Sequence, residues 1–146
     1  MKRAAALALV LCATLVPALA KDKLVTLTLN GRSVDRAGGI ALLHDGVVYA
    51  DAVDLVKTFN GLVTFGPHNA ARIEIRGRTG TFVPGNKTAT IGTAQVAMPG
   101  AAFMRNGDLY VPLVFFISHL TGARVQLDPS RTRADIRVNS NPLPNN

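Results

Sequence analysis

The chain has no tryptophan, a single cysteine and few aromatic residues, 5% in all. Each scarcity removes a class of explanation. The cysteine is Cys12, inside the apolar run Ala4 to Val16 that follows Met1-Lys2-Arg3 and leads to Pro17-Ala18-Leu19-Ala20. A basic start, an apolar stretch and small residues in that order read as a secretory signal peptide over residues 1–20, cleaved before Lys21. Leu11 is too bulky to precede a lipid-modified cysteine, so cleavage removes the thiol. A mature chain without cysteine has no disulfide, thiol nucleophile or Cys-ligated zinc, and its core must hold it together. The apolar run is too short for a membrane span, so no transmembrane segment is expected after cleavage and the chain is expected in the periplasm or outside the cell.

Acidic residues are also scarce, 9 against 16 Lys and Arg. Loss of Lys2 and Arg3 lowers the formal charge from +7 to +5, a balance that favours anionic neighbours such as wall polymers, lipid headgroups or nucleic acid. The arginines gather at Arg72, Arg76 and Arg78 and at Arg131, Arg133 and Arg137. Their alternation with apolar residues suits the solvated face of a strand, and five of them (Arg72, Arg76, Arg131, Arg133, Arg137) form a candidate polyanion face. Nucleic acid is disfavoured, because the basic residues are not interleaved with the aromatics that stack bases.

Catalytic patterns are missing too. His44, His68 and His119 stand alone, whereas a copper centre needs converging imidazoles, often from a His-x-His pair. Ser33, Ser118, Ser130 and Ser140 lack the glycines of a nucleophile elbow. The loops Gly77-Arg78-Thr79-Gly80 and Pro84-Gly85-Asn86-Lys87 contain glycine but no P-loop pattern, and read as linkers. No catalytic, cofactor-binding or metal-binding residue is assigned, and no cofactor is expected.

What the sequence does have is a recurrence. Gly31, Gly39, Gly46 and Gly61 are matched at a spacing of 61 by Gly92, Gly100, Gly107 and Gly122, and Gly46-Val47-Val48-Tyr49 by Gly107-Asp108-Leu109-Tyr110. A fixed period marks one supersecondary unit built twice. In the first, Leu24–Leu29 reads as a strand ending at Asn30-Gly31, and Ile40–Leu43 and Val47–Tyr49 flank the turn dipeptide Asp45-Gly46. Asp51 caps a helix that buries Val53, Leu55, Val56 and Phe59, faces Asp54 and Lys57 outward, and closes at Asn60-Gly61. Strands around Val63 and Ile73 follow. The second unit repeats the order through Asn106-Gly107, a helix opened by Pro112 that buries Leu113, Val114, Phe116, Ile117 and Leu120, and strands around Val125 and Ile136.

The expected fold is α+β: two pseudo-repeated units, at about 24–78 and 79–138, each a small antiparallel sheet wrapped around one short helix, packed as one body. Residues 139–146, rich in Asn and Pro, are expected to form a disordered tail.

Leu29-Asn30-Gly31, Gly107-Asp108-Leu109-Tyr110-Val111-Pro112-Leu113 and Gly122-Ala123-Arg124-Val125-Gln126-Leu127-Asp128, with Ile136 downstream, together resemble the copper amine oxidase N-terminal-like domain. The resemblance spans Leu24 to Val138 and implies an accessory domain of secreted and surface proteins, often in tandem. Val114 stands where the family usually has arginine, and Ala50-Asp51 replaces Val-Pro in the first unit. Tyr49 and Tyr110, each just before a helix, read as packing residues with a hydroxyl at the rim.

The functional expectation is an exported, non-catalytic binding or scaffolding module at the cell envelope, with a polymer, a protein or a second copy as partner. The units differ most where Asp54 becomes Phe115, so Phe103, Phe115 and His119 join the arginines as candidate partner-binding residues, with burial of Phe115 as the favoured alternative. The competing expectations are a hydrolase-type subunit using Asp51, His119 and Asp128 between the units, and non-specific polyanion or nucleic-acid binding.

Overall fold

A computed structural model of the chain describes residues 22–34 and 40–139. The expected signal peptide, the Gly38-Gly39 break and nearly all of the expected tail lie outside them. Strands β1 (Lys23–Leu29), β2 (Arg32–Ser33), β3 (Ala41–His44) and β4 (Val47–Asp51) lead to helix α1 (Ala52–Thr58). Next come β5 (Leu62–Phe65), a 3-10 turn at Pro67–Asn69, β6 (Ala71–Ile75), β7 (Arg78–Phe82), β8 (Thr88–Ile91) and β9 (Ala94–Ala97). The chain continues with β10 (Phe103–Arg105), β11 (Asp108–Pro112), α2 (Leu113–Phe116), a π-helical turn at Ile117–Thr121, β12 (Arg124–Leu127) and β13 (Arg133–Arg137).

Local chemistry set the hairpins as read. Asn30-Gly31, Asp45-Gly46 and Asn106-Gly107 all have both residues at positive φ, the signature of the tight turn that matches strand twist. Arg76-Gly77 does the same without an Asn or Asp to announce it. Asp51 caps α1 as expected, its carboxylate accepting from the backbone N–H groups of Val53 and Asp54. At the helix end the roles of two residues differ from expectation. Asn60 takes the left-handed conformation, while a side chain on Gly61 would meet the Glu74 carbonyl oxygen at 2.6 Å, so this glycine serves close approach.

The α+β architecture is present, but the sheets are not divided by unit. One is a mixed sheet in the order β10-β11-β4-β3-β1-β13-β12, with β2 on β1, and the other is antiparallel, β5-β6-β7-β8-β9. The first joins residues from both halves: β4 pairs with β11, and β1 runs parallel to β13. Gly77-Arg78-Thr79-Gly80, read as a linker, instead opens β7, the central strand of the second sheet. Its Gly80 lies against Leu120, where a methyl would come within 3.0 Å, which explains a glycine inside a strand.

α1 packs on β4 and β11 of one sheet and on β5 and β6 of the other, and the π-helical turn contacts β12 on one side and β6 and β7 on the other. One apolar cluster runs through both sheets and both helices, from Val25, Leu27 and Leu55 to Ile73, Phe82, Phe116 and Ile136. The helix faces need two corrections. Asp54 is buried at 7% exposure instead of facing out. In the second helix Phe115 is buried at 8%, the favoured of its two readings, whereas Val114, expected inside, is 43% exposed. Four α-helical residues followed by a wider π turn do not keep the 3.6-residue period on which that stripe was drawn.

Candidate binding groove

Three cavities lie along the mixed sheet. In β1, β12 and β13 the side chains alternate, so that Val25, Leu27, Ala134 and Ile136 face the core and Thr26, Thr28, Arg133, Asp135, Arg137 and Gln126 face away from it. These polar residues, with Asp128, line an open trough of about 450 Å³. Its carboxylates are held in place. Asp135 accepts from the Thr28 hydroxyl at 2.6 Å and from the Gly31 N–H, and pairs with Arg137. The Thr28 bond, helped by the Gly31 and Arg137 contacts and opposed by burial, keeps its carboxyl below the usual aspartate range. Asp128, in the β12–β13 turn, accepts from Ser130, from the Arg133 N–H at 2.8 Å and from Thr132. These donors, Ser130 foremost, lower its pKa to about 2.

The same turn delivers Arg131. Its φ of 57° is unusual for a residue with a side chain, and its backbone N–H is bonded to the Asp128 carbonyl. The guanidinium reaches across to donate to the Gly46 carbonyl in the β3–β4 turn. It roofs a smaller cavity of about 260 Å³ walled by Val47, Pro99, Pro112, Val114 and Leu127. Val114 and Leu127, exposed at 43% and 38%, keep this slot open to solvent.

The third cavity, about 370 Å³, is bordered by His44, Tyr49, Lys87, Gly100 and Phe103. Phe103 stacks on Tyr110 with centroids 5.4 Å apart and meets Tyr49 at 4.8 Å and His44 at 4.7 Å. β10 and β3 are three strands apart, about 14 Å in a flat sheet, so contact between Phe103 and His44 means that the sheet coils around this cluster. Asp22 clamps the coil, with one carboxylate oxygen 2.8 Å from His44 Nδ1 and the other on Arg105. Burial raises the Asp22 pKa, but the His44 and Arg105 contacts outweigh it and hold the carboxyl below its ordinary value. The Tyr49 hydroxyl donates to the Ala101 carbonyl at 2.9 Å rather than reaching the rim, and burial pushes its pKa up.

The cavities share walls. Leu127 borders both trough and slot, and Val47 and Pro99 border both slot and aromatic cavity. They are neighbours in a row, lined by the cations Arg137, Arg133, Arg131 and Lys87 and by the carboxylates of Asp135, Asp128 and Asp45.

Of the residues singled out by sequence, Phe103, Arg131, Arg133 and Arg137 border this row. Arg72 on β6 and Arg76 in the β6–β7 turn are exposed on the other sheet. Phe115 is in the core against Phe82. His119 packs on Phe115 at 4.3 Å and lines a different cavity with Arg78 and Thr79. The wall residues Pro99 and Val114 were not singled out for binding. The available signal was Val114 itself, an apolar residue where the resembled pattern has arginine.

Asp51, His119 and Asp128 have separate local settings: a helix cap, a ring packed on Phe115 and a braced turn. A copper centre, raised by the family resemblance, does not fit the residues present. Among the described residues no three His, Cys, Asp or Glu side chains converge, and His44 is already engaged by Asp22 and Asp45. No helix among them is long and apolar enough to cross a membrane.

Comparison with known proteins gives one family match. No curated protein and no solved structure matches the chain significantly. The profile of the copper amine oxidase N-terminal domain covers residues 28–136, from β1 through nearly all of β13 and therefore through both sheets and both helices. That span takes in the residues lining the groove except Thr26 and Arg137, and the chain belongs to the copper amine oxidase N-terminal domain family.

Proposed function

We propose that the protein is an exported, non-catalytic module that binds an extended, net anionic ligand at the cell envelope, either a polymer or a segment of a protein partner. The observation that carries this reading is the row of three cavities that share Leu127, Val47 and Pro99 as lining residues, with four cationic side chains against three carboxylates along it. A small-molecule site is usually one enclosed pocket with few polar groups, whereas an open row suits a chain-like ligand. The family's domain is a non-catalytic accessory domain in the oxidases, which agrees with a module lacking chemistry of its own. The leader, absent from a mature exported chain, accounts for the only cysteine.

The 61-residue recurrence fits a duplicated unit. Ala50 and Val111, which are 61 apart, lie directly opposite each other in the antiparallel β4–β11 pair. On this reading equivalent hairpins flank a local two-fold relation at the β4–β11 pair, and β7 is an additional strand inserted where the two units meet.

The test is retention of the mature chain, residues 21–146, on envelope material. Retention that falls with salt and is lost in an Arg133→Glu, Arg137→Glu double variant of unchanged circular dichroism supports the proposal. Retention unaffected by that variant removes the trough from it, and no retention at any salt concentration overturns it.

A further inference from the structure

We infer that the apolar slot under Arg131 receives the apolar last residue of a peptide, with the guanidinium engaging the terminal carboxylate. This rests on the reading of the cavity row as a binding groove and specifies what its middle section takes. The slot walls are short or rigid, two prolines with Val47, Val114 and Leu127, and about 260 Å³ accommodates a side chain rather than a large ligand. No acidic residue borders it, and among the described residues no carboxylate pairs with the Arg131 side chain, whose guanidinium hydrogen bond goes to the uncharged Gly46 carbonyl. The remaining guanidinium N–H groups are donors with a full charge behind them, suited to a carboxylate at the slot's mouth.

The surroundings favour a peptide as the bearer of that carboxylate. Leu127 is shared with the trough, where Gln126, Thr28 and Asp128 offer amide, hydroxyl and carboxylate partners of the kind that main-chain peptide groups require. Leu127 also lies on β12, the last strand of its sheet, whose outer edge has no strand partner among the described residues. An extended peptide can align there by main-chain hydrogen bonds and drop its final side chain into the slot.

The experiment measures fluorescence anisotropy of a fluorescein-labelled hexapeptide ending in leucine, as free acid and as amide, titrated with residues 21–146. The free acid is expected to bind about 10-fold more tightly than the amide, as befits one charge-assisted contact. Arg131→Asn should bring that ratio to about one, since asparagine accepts the left-handed backbone while removing the cation. Val114→Glu, at an exposed helix position, should weaken both forms. Equal binding of acid and amide overturns the inference, as does a ratio that survives Arg131→Asn or binding of dodecanoate without any binding of the peptide. Envelope retention separates the two levels: if it persists while the acid and amide behave alike, the slot assignment fails and the groove stands, whereas loss of both removes the groove as well.

Discussion

The Tyr49 hydroxyl occupies the place where a side chain on Gly100 would begin, with only 2.2 Å between the oxygen and a Cβ built on that glycine. Gly100 is thus glycine because the phenol must pass it to reach the Ala101 carbonyl. The contact ties the loop before β10 to β4 and shapes the wall of the aromatic cavity.

Gly100→Ala should therefore destabilise the fold by about 1–3 kcal/mol, the usual cost of overpacking. Tyr49→Phe alone should cost about 1 kcal/mol for its lost hydrogen bond. Denaturant unfolding of both single variants and the double variant should show the double to be less destabilised than the sum, because removing the oxygen makes room for the methyl. Simple additivity would count against the steric account.

Phe115→Asp replaces a ring packed on Phe82 by a carboxylate in the core. A loss of about 3–5 kcal/mol or outright unfolding is expected, comparable to deleting a buried phenylalanine. Phe115→Leu, which keeps the apolar volume more nearly constant, should cost about 1 kcal/mol. A well-folded Phe115→Asp protein by circular dichroism and thermal melting would show that the residue is dispensable to the core.

Asp51→Ala should cost about 1–2 kcal/mol through loss of the α1 cap, and Asp51→Asn, an equally good cap, should restore it. Burial is the main reason the Asp51 carboxyl titrates above its ordinary value, with the Val53 and Asp54 N–H groups opposing it. The folded state then holds the proton more tightly than the unfolded one. Stability from this group is greatest below the unfolded pKa and declines as pH rises through the folded value. Asp51→Asn should flatten that part of a stability-versus-pH curve, and an unchanged slope would refute the assignment.

Asp128 behaves oppositely. Its hydrogen bonds favour the charged form, so its contribution is present above the unfolded pKa and is lost as pH falls through about 2. A carboxyl NMR titration should find a midpoint near about 2, and Ser130→Ala should raise it, since Ser130 is the leading cause. A normal aspartate midpoint would mean that the turn does not hold Arg131 in the manner described.

The hairpins and the first helix were legible because they depend on contacts a few residues apart. Asn30-Gly31, Asp45-Gly46 and Asn106-Gly107 carry their own backbone preference, and Asp51 reaches its N–H donors within three positions. The recurrence at 61 was readable for the same reason, as it repeats those local signals. Arg78–Phe82 could not be recognised as a strand: its Thr and Gly residues carry little apolar alternation, and its place is fixed by β6 and β8 on either side. The faces of Asp54 and Val114 were misread because a helix between two sheets buries more than one stripe, and because the π turn changes the period.

The candidate groove shows the same division. Residue chemistry alone marked Phe103, Arg131, Arg133 and Arg137, since cations on alternating strand positions and an aromatic near a turn are visible in one dimension. Their assembly beside Val47, Pro99 and Leu127 depends on tertiary structure: the coil that brings β10 over β3, the parallel pairing of β1 with β13, and the reach of Arg131 to Gly46. These contacts join positions up to 107 residues apart. Local preference gives each element its shape, but only the shared core decides which distant elements lie side by side.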